Sequence, residues 1–98
     1  ILRWNGAMID YDRATVEYNS KQIELTKNEL FILKALLKTS GQIVSRDELM
    51  RKLWDDERFV NDNTLTVNVN RLRQRLDEIG LKDVIVTKKG LGYMAVDK

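Results

Sequence analysis

The sequence predicts an α+β fold in which a small antiparallel sheet is followed by three helices and a C-terminal hairpin. Three observations carry this. Short β-branched and aromatic stretches, separated by turn residues, fill the segment up to Leu25. Two copies of the Ser/Thr-x-x-Glu helix-entry pattern then follow, each ahead of an apolar run. Finally, Leu65, Val69, Leu72, Leu76 and Ile79 recur at helical spacing, and two short strands close the chain around Lys89-Gly90-Leu91.

In order, the expected strands are Leu2 to Trp4, Ala7 to Tyr11, Thr15 to Tyr18 and Lys21 to Leu25, with Asp12-Arg13-Ala14 and Asn19-Ser20 as turns. They predict a four-stranded antiparallel meander with one buried face. The chain has no proline, so its turns must rest on Gly, Asn and Asp. Thr26-Lys27-Asn28-Glu29 fits a capping box, in which the Thr26 hydroxyl accepts from the Glu29 N–H and the Glu29 carboxylate reaches back; Leu25 and Leu30 stand as its hydrophobic staple. Leu30, Leu33 and Leu37, with Phe31, Ile32 and Leu36, give the first helix a wide apolar face, and Gly41 is expected to end it. Ser45-Arg46-Asp47-Glu48 is a second box with Val44 and Leu49 as staple, opening a helix that runs to about Leu53 or Trp54. An acidic loop leads to a third helix over about residues 62–79, with Asp62 as its expected N-cap and Gly80 as its terminator. At about 100° per residue its apolar residues form a stripe roughly 80° wide. Val84 to Lys88 and Gly92 to Val96 then pair as a hairpin. The second and third helices make a helix-turn-helix with a long connection, and the hairpin is its wing.

Ninety-eight residues, 43% hydrophobic and 33% charged, fit one globular domain. Without Cys or His, disulfides, thiolate metal sites and Ser-His or Cys-His nucleophilic chemistry are excluded. No glycine-rich phosphate loop is present, and no cofactor or metal is expected. The carboxylates occupy polar positions without a convergent constellation, so an enzyme is the least favoured class. No stretch approaches a membrane span, and the opening Ile1-Leu2-Arg3-Trp4 is no signal peptide, so a cytoplasmic fragment of a longer protein is expected.

The net charge of +2 hides a gradient: residues 1–62 sum to −1 and residues 63–98 to +3. Arg71, Arg73 and Arg75 fall in the acid-free run from Asn63 to Leu76. With the apolar stripe inward, the opposite face of the third helix is Asn63, Val67, Asn70 and Gln74, with Arg71 beside them. Val67 lies about 200° from Leu65 and cannot join the core stripe. A single exposed apolar residue is common, and a solvated polar face would explain the rest. The sharper reading uses the set: Asn suits an adenine edge, Arg a guanine edge, and a small apolar side chain the thymine methyl. Lys88 and Lys89 at the hairpin tip suit phosphates or a narrow minor groove, and Thr87 could donate to a phosphate oxygen.

These residues resemble the OmpR/PhoB family of response-regulator effector domains. The resemblance runs through Leu25-Thr26-x-x-Glu29, Val44-Ser45-Arg46-x-x-Leu49, Leu53-Trp54, the run Asn63 to Arg73, and Lys89-Gly90-Leu91-Gly92-Tyr93. It covers essentially the whole chain in order. Asn68-Val69-Asn70-Arg71-Leu72-Arg73 and the Asp62 to Thr66 entry look most like the Gram-positive branch linked to cell-envelope stress and antimicrobial peptides.

The resemblance implies a winged helix-turn-helix whose third helix enters the major groove of double-stranded DNA. Val67, Asn70 and Arg71 then fall on base-facing positions. Trp54, Asn63, Thr64, Asn68, Arg73, Thr87 and Lys89 fall on phosphate-contacting positions, joined by Lys88, and Tyr93 on a wing position that holds the hairpin and can reach the backbone. The loop residues Asp55, Asp56, Glu57, Arg58 and Phe59 would face RNA polymerase, or serve only as a connector. It also implies a receiver domain outside this chain, acted on by a sensor kinase. Asn63, Asn68 and Asn70 stand where many members carry a basic residue. The expected affinity of one domain is therefore modest, with cooperative head-to-tail binding of two copies to direct-repeat half-sites as compensation. A winged-helix protein-interaction module without a DNA role is the alternative.

Overall fold

Two Asn-led turns shape the N-terminal sheet. Strand β1 (Leu2–Trp4) meets β2 (Ala7–Asp10) across Asn5-Gly6, with φ of 53° and 79°. Strand β3 (Thr15–Tyr18) meets β4 (Lys21–Glu24) across Asn19-Ser20, with φ of 51° and 65°. Positive φ at both central residues marks the hairpin turn whose twist matches that of its strands. The sheet order is β1-β2-β3-β4, antiparallel throughout. Ile9 and Val16 pair across it and are fully buried, while the Met8–Glu17–Gln22 row faces outward, the period-2 alternation of a half-buried sheet. The computed structural model describes residues 1–54 and 61–97.

Helix α1 (Lys27–Lys38) carries both halves of the predicted capping box: Glu29 N donates to Thr26 Oγ1 at 3.2 Å, and Thr26 N to Glu29 Oε1 at 2.7 Å. It buries Ile32, Leu33, Ala35 and Leu36. It stops earlier than predicted, with Thr39 as its C-cap; Gly41, at φ +83°, instead donates its N–H to the Ala95 carbonyl at 2.8 Å. A two-residue strand β5 (Val44–Ser45), not expected from the sequence, precedes α2 (Arg46–Trp54). Ser45 therefore does two jobs, accepting the Glu48 N–H at 3.1 Å and pairing with Gly92.

Helix α3 (Asp62–Glu78) begins one residue before the sequence reading placed it. Asn61, not Asp62, is the N-cap, its Oδ1 accepting from Thr64 N at 2.9 Å. Both residue types cap well, and the N-cap oxygen must reach the third helical N–H. Asp62, displaced into the first turn, has its carboxylate free for Arg46. Leu65, Val69, Leu72, Leu76 and Ile79 are all buried, so the predicted stripe is the inward face. Strands β6 (Ile85–Lys88) and β7 (Gly92–Ala95) form the wing, and β5 joins it to give a second sheet, ordered β5-β7-β6.

One apolar cluster runs through the inner face of the first sheet, the three helices and the wing base. The two sheets are tied together near the chain's extremes. Trp4 Nε1 and Asn5 Nδ2 both donate to the Val96 carbonyl, at 3.1 and 2.9 Å. Among the described residues no helix is long and apolar enough to cross a membrane.

Candidate nucleic-acid interface

Burying the stripe of α3 against α1 and α2 leaves its opposite face open. Val67 is 44% exposed, and Asn63, Asn70, Arg71 and Gln74 are exposed with it. The three side chains assigned to bases, Val67, Asn70 and Arg71, are thus free of both core and wing. The acids Asp77 and Glu78 lie exposed at the far end of the same helix.

The three arginines of the helix have different fates. Arg75 turns back to α1, where its Nε lies 2.9 Å from Oε1 and 3.0 Å from Oε2 of Glu29, a side chain with no solvent exposure. The same carboxylate thus closes the α1 capping box and anchors α3. Arg73 turns to the wing: Nε donates to the Ile85 carbonyl at 3.2 Å, Nη2 donates to Thr87 Oγ1, and Nη1 lies 3.5 Å from Asn70 Oδ1. Arg71 alone of the three has no partner among the described residues.

The other predicted phosphate contacts divide in the same way. Asn63 is exposed, Thr64 is half-buried in the first turn of α3, Lys88 is half-buried and Lys89 exposed at the wing tip. Thr87 is exposed but engaged by Arg73. Asn68 stands apart. It is only 8% exposed, and its Nδ2 donates to the Thr64 carbonyl at 2.8 Å, so its amide braces the helix it belongs to. Its place on the helical wheel, about 60° from Leu65, sets it at the rim of the apolar stripe. Tyr93 is 5% exposed, and its hydroxyl accepts from Arg46. The Trp54 side chain and the loop residues Asp55, Asp56, Glu57, Arg58 and Phe59 lie outside the described residues.

Arg46 belongs to the second helix-entry motif, and the sequence assigned it no role at the interface. From the first turn of α2 its Nη1 donates to Tyr93 Oη at 2.7 Å, its Nε to Asp62 Oδ1 at 3.3 Å, and its Nη2 to both the Asp62 carbonyl and Thr66 Oγ1 at 2.9 Å. Its guanidinium carbon lies 5.7 Å from the centroid of the Tyr93 ring, and that of Arg73 5.4 Å. Cations over a tyrosine ring are attracted by its quadrupole. Arg46 from α2 and Arg73 from α3 thus both engage the same aromatic side chain of the wing. Among the described residues no group of His, Cys, Asp and Glu could hold a metal ion.

Comparison with known proteins places these features in context. The family described as "Transcriptional regulatory protein, C terminal" matches residues 20–95. The sensory transduction protein BceR of Halalkalibacterium halodurans is 62% identical over 92 residues, which are 94% of this chain and 40% of that protein. The chain thus spans about two-fifths of that relative's length. The C-terminal domain of the nisin resistance regulator NsrR, a lantibiotic response regulator, aligns with a TM-score of 0.86 at 35% identity, covering 100% of this chain and 99% of that one. The DNA-binding domain of the response regulator AdeR, solved in complex with an intercistronic region, aligns with a TM-score of 0.81 at 27% identity, covering 99% and 98%.

Proposed function

Because this chain belongs to the family of C-terminal domains of transcriptional regulatory proteins, the DNA-binding output domains of OmpR/PhoB-type response regulators, we propose that α3 enters the major groove and reads bases through Val67, Asn70 and Arg71. One observation carries this reading. These three side chains share an exposed face, and Arg71 is the cation of α3 left unpaired among the described residues. An arginine free to present two parallel N–H groups suits guanine O6 and N7, and the neighbouring Asn suits adenine. Asn63 and Thr64 at the start of the helix and Lys88 and Lys89 on the wing grip phosphates on either side. Arg73 and Thr87 reach the backbone as a bonded pair spanning helix and wing.

In this reading the domain works in the cytoplasm, in the envelope-stress branch that includes BceR, and answers a sensor kinase through a receiver domain. Two copies bind head to tail on direct repeats about one helical turn apart, and the loop after α2 meets RNA polymerase. Selection of bound duplexes from a random pool, followed by footprinting, tests the base preferences and the half-site spacing together. Arg71→Ala is expected to lower discrimination at one base position by about 1–3 kcal/mol. Lys89→Ala is expected to weaken all sequences alike and flatten the salt dependence by about one unit of slope. An Arg71→Ala domain with unchanged affinity and unchanged preference would refute the assignment.

A further inference from the structure

We infer that Arg46 is a positioning residue for DNA recognition: it touches no base, and sets where the wing stands relative to the recognition helix. The inference rests on the DNA-binding reading for its consequence, but on the geometry of the free protein for its cause.

A guanidinium has five N–H donors in a rigid fork. Four contacts of Arg46 fall on two elements that are not neighbours in sequence: the first two turns of α3, through Asp62 and Thr66, and β7, through the Tyr93 hydroxyl. A planar fork bonded at both ends fixes distance and angle together, which a single point charge cannot do. Tyr93 is the recipient on the wing side, and it is buried. Its hydroxyl accepts from Arg46 and so keeps its own proton available as a donor. Arg73 reaches the same ring and the β6 residues Ile85 and Thr87, so the wing is held at two places along α3, by Arg46 near the start of the helix and by Arg73 two turns further on.

Arg46 has a second effect at the helix entrance. Asp62 sits in the first turn of α3, the end that approaches phosphates in this reading. Its ion pair with Arg46 at 3.3 Å offsets a carboxylate that would otherwise repel them. Both effects require Arg46 to stay where it is, bonded within the protein.

The test is a coupling measurement. In the wild-type domain, Lys89→Ala removes one wing phosphate contact, which at 0.1 M salt is expected to weaken duplex binding about eightfold. In an Arg46→Gln background the wing no longer stands in register, and the same substitution is expected to cost less than about twofold. Equal losses in both backgrounds would overturn the inference. Tyr93→Phe serves where Arg46→Gln fails to fold, because it removes the hydroxyl acceptor and keeps the ring. Hydrogen exchange on the free domain gives a readout independent of DNA. The β5 and β7 amides should exchange faster in either variant while those of α1 are unchanged; unchanged β7 protection would also overturn the inference. A wild-type domain with no duplex preference would refute the functional reading, and the exchange result would still decide the role of Arg46.

Discussion

Replacing Gly92 with alanine should break the pairing of the wing with β5. A Cβ at Gly92 would lie 2.0 Å from the Val44 carbonyl oxygen and 2.9 Å from the Ser45 Cα, where ordinary contact begins at 3.4 Å. Both obstacles are backbone atoms of β5, so no rotamer change relieves the clash. Strand β5 would have to retreat by more than an ångström, and it is held by two residue pairs, Val44 with Tyr93 and Ser45 with Gly92. Losing about two ladder hydrogen bonds costs about 0.5–1.5 kcal/mol each. Alanine at φ +151° adds about 1–3 kcal/mol of backbone strain. The total, about 2–6 kcal/mol, corresponds to a fall in Tm of about 4–8 °C for each kcal/mol in a domain of this size. Thermal unfolding followed by circular dichroism is the assay, with Gly90→Ala as the control. Gly90 has φ +75° but open space around its Cβ position, so its substitution carries only the left-handed penalty of about 1–2 kcal/mol. Equal melting temperatures for the two variants would refute the steric argument.

Three further outcomes are expected. Ala14 adopts φ 54° in the β2–β3 turn, so Ala14→Gly should stabilise the domain by about 0.5–1 kcal/mol in a denaturant titration, a gain that disappears if the turn relaxes in solution. Asn61→Ala should cost about 1 kcal/mol by the same titration through loss of the α3 cap, and more than Asp62→Asn; the reverse order would restore Asp62 as the cap. Glu29→Ala should destabilise by about 2 kcal/mol, less than a fully buried pair would lose because the Arg75 side chain is 39% exposed and regains water. Glu29→Gln, which keeps an acceptor for the Thr26 N–H, should cost less than Glu29→Ala in the same measurement.

What the sequence made legible was the part governed by local rules. The 4,3,4,3 spacing gave the inward face of α3 and, by subtraction, the outward placement of Val67, Asn70 and Arg71. Thr26 and Glu29 announced their own reciprocal bonds because both partners lie within one turn. What escaped was long-range or degenerate. Nothing near Arg46 in sequence announces Tyr93, 47 positions away, and nothing near Arg75 announces Glu29, 46 positions away. An acid-free basic run is therefore less cationic toward solvent than its composition suggests, since two of its three arginines are committed inside the protein. Adjacent Asn61 and Asp62 were equivalent by cap chemistry, and only the reach to Thr64 distinguishes them. A strand as short as β5 carries too little periodicity to be read at all.

The shared Val96 carbonyl has a consequence for the order in which the molecule assembles. The bond from Trp4 closes a loop of 92 residues, whereas the hairpins of the N-terminal meander close across two. By chain statistics the longer closure carries about 3 kcal/mol more entropic cost. The meander can therefore zip up by itself, but the clasp on Val96 has to wait until the helices have brought the far end of the chain home. A synthetic peptide of the β6–β7 hairpin alone, lacking that clasp and the β5 edge, would not hold the shape it takes here.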